Sequence, residues 1–140
     1  MTDILMNSTP NKIITMDIAY YQVPLEEVLS DAKHGDHTHF ELILCKIGCE
    51  DGTEGVGYTY TIGQGGPAII SMLKDTLVAR LIGQDAENIE RIWKSLLFST
   101  HATAVGAITS LAIAAIDTAL WDLRCRRAQL PLYKMAGGAK

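Results

Sequence analysis

Between residues 31 and 39 the chain reads Asp31-Ala32-Lys33-His34-Gly35-Asp36-His37-Thr38-His39, which places three of its four histidines beside two carboxylates and a lysine. Three chemistries are open to such a cluster. A metal site is one, because His37 and His39 alternate onto the same side of a strand. Same-face neighbours on a strand stand about 6–7 Å apart, workable for two ligands but requiring more from a second segment. No second segment with ligand spacing is visible, so no metal is assigned to this chain. Carboxylate recognition is another: the Lys33 ammonium attracts an anion and the His34 imidazole donates or accepts a hydrogen bond, with Asp31 a weaker candidate. An ordinary solvated loop accounts for the same residues.

A second chemistry-bearing stretch is Tyr58-Thr59-Tyr60-Thr61-Ile62-Gly63-Gln64-Gly65-Gly66. Its glycines permit hinge motion or a close approach of backbone to ligand, and it leads into a helix N-terminus, which favours anions. No Lys-Ser/Thr pair follows, which excludes a P-loop. A plain strand-to-helix connector whose glycines serve only geometry is the competing reading. Elsewhere the residues offer little. Asp117 and Asp122 stand five apart, a poor spacing for one helix face, so Asp117 is expected to be buried, hydrogen-bonded and structural. Trp93 and Trp121 are expected to fill the core or an interface, His101 to cap or sit at the surface, and Arg124 and Lys134 to help dock a following domain. Ser110 has no base beside it, so no catalytic residue is assigned anywhere in the chain.

The elements that must carry these residues follow from pattern. At 140 residues, 48% hydrophobic and 20% charged, the chain suits one globular domain. A net charge of −4 argues against nucleic acid and anionic membrane as partners. Cys45, Cys49 and Cys125 are odd in number and unhelpfully spaced, so free thiols, a reducing compartment and a cytoplasmic location are expected. Residues 1–11 read as a flexible leader without signal-peptide character. Ile13–Val23 suits a strand ended by Pro24, and Leu25–Asp36 a loop. In the strand His37–Cys49, Phe40, Leu42, Leu44 and Lys46 alternate with Glu41, Ile43, Cys45 and Ile47, a central strand covered on both faces. Asp51-Gly52 marks a hairpin turn into a third strand, Glu54–Tyr60.

Helices follow. One runs from Pro67 to about Leu81 with Ile69, Ile70, Leu73, Leu77 and Leu81 in its stripe; Gly83 stops it and Asp85 is placed to cap the next. The last starts at Ala107, is apolar on nearly every side, and ends in Arg124, Arg126 and Arg127, where the dipole favours cations. A helix so apolar is expected to be buried and to need a partner surface. Strands followed by segregated helices define an α+β fold, here a three-stranded antiparallel meander and then a helical bundle. Residues 12–128 form that domain, and 129–140 are expected to link onward.

Ile116-Asp117-Thr118-Ala119-Leu120-Trp121-Asp122-Leu123, then Leu130-Pro131-Leu132-Tyr133-Lys134 and Gly137-Gly138, resembles the motif ending the N-terminal domain of the mandelate racemase and muconate lactonizing enzymes, in the enolase superfamily. Asp51–Gly57 resembles that family's second hairpin and Leu81–Asp85 its first interhelical turn; in order, the resemblance spans Lys12 to Gly138. It implies a capping domain for a (β/α) barrel that is expected to follow and is absent from this chain. In the family, barrel carboxylates hold Mg²⁺, which stabilises the enediolate formed when a base removes the proton alpha to a carboxylate. The fragment alone is then expected to be inactive, lending specificity through two loops that close over the barrel mouth. Ser30-Asp31-Ala32-Lys33 resembles the first such loop in relatives acting on acid sugars, and the resemblance makes the stretch from Tyr58 to Gly66 the second. The implied contacts are Lys33 and His34, then Asp31, in the first and Tyr60, Thr61 and Gln64 in the second. The implied activity is therefore an acid-sugar dehydratase or a racemase/epimerase; the implied partners are the barrel, a small carboxylate substrate and further copies in a homo-oligomer. The alternative is a stand-alone α+β binding or oligomerisation module.

Overall fold

A computed structural model describes residues 10–103 and 106–138. Strand β1 (Ile13–Asp31), β2 (Gly35–Cys49) and β3 (Glu54–Thr61) form one antiparallel sheet in the order β1-β2-β3, with β2 central. The helical part is α1 (Gly66–Ser71), a π-helical stretch (Met72–Leu77), α2 (Val78–Leu81), α3 (Ile89–Ser99), a 3₁₀ turn (His101–Thr103), α4 (Ala107–Ala128) and α5 (Leu132–Met135). This is the α+β meander-then-helices order expected from the pattern. The expected leader falls mostly outside the described residues, but Asn11 is buried: its N–H donates to Asp85 Oδ1 and its Oδ1 accepts from the Asp51 N–H.

The first hairpin is longer than the sequence suggested. Pro24 does not end β1, and Leu25–Asp36 is not a loop: β1 continues to Asp31 and only residues 32–34 turn. The physical reason is position in the sheet. β1 is an edge strand, where a missing N–H costs no ladder bond, and the irregularity is absorbed as a register shift between Pro24 and Leu29. Pairing then resumes as Leu29 with His37, Ser30 with Asp36 and Asp31 with Gly35. β2 is not covered equally on its two faces. Glu41, Ile43, Cys45 and Ile47 are buried against the helices, whereas Phe40, Leu42, Leu44 and Lys46 are only half-buried.

Helix 66–81 has a cause for its π segment. Ile69, Leu73, Leu77 and Leu81 are all buried at a strict spacing of four. In an ideal α-helix each step of four overshoots the face by about 40°, so three steps would carry Leu81 off the core. Widening the middle turns keeps the four in line. Gly83, at φ +83°, ends the run. Asp85 does not cap α3: Asn88 is the N-cap and gives no side-chain bond, while Asp85 ties the preceding turn through the N–H groups of Asn11 and Glu87.

α4 is not buried all round. Ala112, Ala115, Ile116, Ala119, Leu120 and Leu123 pack inward, while Ile108, Ala114 and Thr118 are exposed. Its partner surface is the sheet itself, above all β3, at very short range. A Cβ on Gly55 would fall 2.2 Å from the Ala119 carbonyl, and one on Gly57 would fall 2.1 Å from that of Ala115. Asp122 Oδ2 accepts the Val56 N–H at 2.8 Å, satisfying a donor on the outer side of the edge strand β3. Arg124 and Arg127 both reach Glu87, and Arg127 also meets Asp51 at 3.2 Å, locking the helix end to the α3 entry and the second hairpin. Arg124, expected to help dock a following domain, is engaged here with Glu87 of this domain.

We predict that Gly57→Ala destabilises the protein by about 1–3 kcal/mol, because backbone rather than a flexible side chain occupies the space. The urea midpoint should drop at unchanged slope; an unaltered midpoint would contradict the direct seating of α4 on β3.

Candidate functional site at the end of the sheet

The tip of the β1–β2 hairpin is organised by one carboxylate. Asp31 Oδ1 accepts the backbone N–H groups of Lys33 at 2.8 Å and His34 at 2.7 Å, closing the turn, and Gly35 supplies the left-handed residue at φ +77°. The same carboxylate faces two imidazoles. His34 Nδ1 lies 3.1 Å from both of its oxygens and His37 Nε2 lies 3.0 Å from Oδ2. The His37 ring, then the two backbone N–H groups and the His34 ring, hold the Asp31 carboxyl well below the usual carboxylate range despite the opposing effect of burial. Asp31, His34 and His37 are, among the described residues, the group able to present three metal-ligating atoms together, all within 4.8 Å of one another. The pair suggested by strand alternation, His37 with His39, is not the one that converges. The Lys33 side chain is exposed and, among the described residues, has no carboxylate in ion-pair range.

The second loop is anchored at both ends by a residue that sequence reasoning gave no site role, Glu41. Its side chain is buried, 4% exposed, on the inner face of β2. Tyr20 OH donates to Oε1 at 2.5 Å; the Thr61 hydroxyl and, at 2.7 Å, the Gly66 N–H donate to Oε2. Thr61 ends β3 and Gly66 begins α1, so one carboxylate clamps the two ends of the loop between them. Burial alone would raise the Glu41 carboxyl, but the bonds from Thr61, Tyr20 and Gly66, with the field of His39, outweigh it and hold the group below its ordinary value. A Cβ at Gly66 would lie 2.8 Å from the Tyr20 ring and 2.9 Å from the Glu41 carboxyl, so this clamp requires glycine there. Gly63 and Gly65, at φ +88° and +102°, make the turns between. The available signal was a lone charged residue on an otherwise apolar strand face.

The two loops meet. His34, Asp36, His37, Thr38 and His39 from the hairpin, with Ile62, Gly63 and Gln64 from the second loop, line an open cleft of about 390 Å³. That is within the range of small-molecule sites. Of the residues expected at a site, His34 and Gln64 line it and Asp31 bonds to two of its walls. Thr61 turns inward to Glu41. Tyr60 lies on the outer sheet face, edge-on to Phe40 with ring centres 5.9 Å apart, in a shallow apolar depression with Val23, Leu42 and Tyr58.

Several other expectations resolve differently. Asp117 is half-buried between Trp93 and Trp121, has no hydrogen-bond partner among the described residues, and is raised by burial, so it is not the bonded structural carboxylate expected. Arg124 stacks its guanidinium 5.1 Å from the Trp121 ring centre. His101 Nδ1 approaches the Phe98 carbonyl at 2.6 Å. The three cysteines are free and buried; burial, then Asp17, pushes Cys45 up to about 12, and burial, then Asp51, pushes Cys49 up to about 11. Neither is a reactive thiol. Among the described residues, no helix is long and apolar enough to cross a membrane.

The chain is thus a three-stranded antiparallel sheet followed by helices, with two loops converging beyond one end of the sheet. Residues 12–137 match the family model described as mandelate racemase / muconate lactonizing enzyme, N-terminal domain, and the chain belongs to that family. It is 45% identical over 118 residues to a 3,6-anhydro-alpha-L-galactonate cycloisomerase of Streptomyces coelicolor, covering 84% of this chain and 33% of the relative. It is 33% identical over 134 residues to an L-talarate/galactarate dehydratase of Salmonella typhimurium, covering 92% and 33%. Among solved structures, a racemase from Streptomyces coelicolor with bound magnesium superimposes with TM-score 0.89 at 42% identity, over 91% of this chain and 36% of that one. The Salmonella typhimurium dehydratase liganded with Mg and L-lyxarohydroxamate gives 0.88 at 30% identity, over 100% and 37%. The chain thus spans about a third of the length of these relatives.

Magnesium does not fit the cluster at the hairpin tip. Mg²⁺ takes oxygen ligands in near-octahedral geometry, and one carboxylate with two imidazoles is the wrong donor set.

We predict that Glu41→Gln destabilises the protein by about 1–3 kcal/mol, since three donors lose their charged acceptor. Because the folded state holds the Glu41 carboxyl low, its contribution is present above the ordinary carboxylate range and is lost as pH falls through the folded value. Stability measured from pH 7 downward should therefore fall more steeply in the wild type than in E41Q; parallel curves would refute the clamp.

Proposed function

We propose that this chain is the capping, substrate-specificity domain of a Mg²⁺-dependent enolase-superfamily enzyme that removes the proton alpha to the carboxylate of a sugar acid. Dehydration is the favoured outcome, and racemisation, epimerisation or cycloisomerisation the related ones. The observation that carries this reading is the convergence of the hairpin tip and the second loop on one cleft at the same end of the sheet. The names of the relatives supply the substrate class: a cycloisomerase and dehydratases of sugar acids.

In this reading the metal and the base belong to a C-terminal barrel, and the domain by itself turns nothing over. Mg²⁺ supplies charge stabilisation of the enediolate when bound there. This chain's residues bind and enclose. Lys33, exposed and without an ion-pair partner among the described residues, offers an ammonium to a carboxylate or hydroxyl. Gln64 presents an amide, and His34, its Nδ1 engaged with Asp31, keeps Nε2 for the ligand. Asp31 acts indirectly, by fixing the turn that carries Lys33 and His34. Glycines 63 and 65 allow the second loop to close and exclude water. Exposed apolar side chains, such as Val23 (41%), Tyr58 (57%) and Phe98 (74%), favour a domain packed against further protein over a self-contained module. Homo-oligomeric assembly and a cytoplasmic location belong to the same reading.

The test uses the intact protein as its source produces it, with Mg²⁺ and a panel of sugar acids, following α-proton exchange in D₂O and 2-keto acid formation. Exchange on at least one acid is expected. Lys33→Ala or Gln64→Ala should lower kcat/KM about 10–100-fold, the worth of one charge-assisted bond. Absence of exchange on every acid, or full activity in both variants, would overturn the reading.

A further inference from the structure

We infer that Asp31, His34 and His37 form a binding site for a borderline divalent cation of the Zn²⁺ class, at the tip of the hairpin and opening on the cleft. Its donor set differs from the all-oxygen set that Mg²⁺ takes. Three observations carry it, and none depends on the capping role.

The donor set comes first. Two imidazoles and one carboxylate suit Zn²⁺, Co²⁺ or Ni²⁺ and disfavour Mg²⁺ and Ca²⁺. The geometry is second. Bonds of 2.0–2.1 Å at tetrahedral or octahedral angles place adjacent donors about 2.9–3.4 Å apart. Asp31 Oδ2 already lies 3.1 Å from His34 Nδ1 and 3.0 Å from His37 Nε2, and the whole set fits within 4.8 Å. The remaining adjustment falls on the His34 side chain, which is 54% exposed and has solvent beside it to move into.

The support is third. Asp31 Oδ1 is held by the N–H groups of Lys33 and His34, which fixes the carboxylate and leaves Oδ2 for the cation, the outer-shell arrangement that metal-binding carboxylates use. His37 stands in a paired strand position opposite Leu29, with its side chain 14% exposed. On binding, the ring nitrogen that now faces Asp31 would give its lone pair to the cation, and each neutral imidazole would carry its single N–H on the other ring nitrogen. Three protein ligands leave a fourth position open to the cleft, where a carboxylate or hydroxyl oxygen can enter.

The test titrates Zn²⁺ into the tag-free, chelator-stripped intact protein in the presence of excess Mg²⁺, which fills oxygen-donor sites. Expected are one Zn²⁺ per chain and shifted ring resonances of His34 and His37. Affinity should fall at least about 10–100-fold in His34→Gln and His37→Gln and be retained in His39→Gln. Zn²⁺ uptake equal in wild type, H34Q and H37Q, or ring resonances that do not move, would overturn the site. Because neither readout uses turnover, a failed site and a failed capping reading are told apart.

Discussion

Helix α4 lies so close to β3 that no side chain fits between them at residues 55 and 57, and this contact sets the geometry of everything else. With the Ala115 and Ala119 carbonyls against bare glycine backbone, the helix axis is drawn onto the sheet. Leu120 and Leu123 then reach the core beside Ile43, Cys45 and Ile47. Small residues on both partners are what make this possible: alanines along the helix and glycines along the strand. Asp122 completes the seat by accepting from Val56. The far end of the helix is then held by the Glu87, Arg124 and Arg127 group, exposed enough that its worth lies in orientation more than in energy.

That frame fixes where the sheet ends, and Glu41 ties together the elements that meet there. A buried carboxylate is costly unless its lone pairs are filled. Here Tyr20, Thr61 and Gly66 fill them, and these residues come from β1, β3 and the start of α1. The cost of burying the charge is thereby offset by bonds that tie together every element bordering the cleft. The two ends of the second loop are thereby fixed whatever side chains the loop between them carries.

At the hairpin tip a second carboxylate does a similar job in the open. Asp31 organises its own turn with one oxygen and faces two imidazoles with the other. Such a cluster can act as a polar staple, as a wall of the cleft, or as a cation site. What distinguishes it from a solvated loop is that every one of its side chains has a defined direction.

The element order, the Asp51-Gly52 turn, the Gly83 stop and the family were legible along the chain, because each depends on residues adjacent in sequence or on a motif in fixed order. The length of the first hairpin was not: Pro24 reads as a terminator, and only the edge position of β1 makes it harmless. Nor was the one-sided burial of α4, since alanine is equally at home on an exposed face and against a backbone. His37 and His39 share a face by alternation, yet His37 finds His34, because the turn at 32–34 folds the chain back within reach. Glu41 had a position without a partner until β1, β3 and α1 were brought together. Sequence by itself thus determined the class of fold and singled out the two segments that line the cleft, through local propensity and ordered motif. Only the tertiary structure decided which side chains meet there, because hydrogen-bond partners and ligand sets are contacts between residues distant in sequence, set by register and packing rather than by spacing.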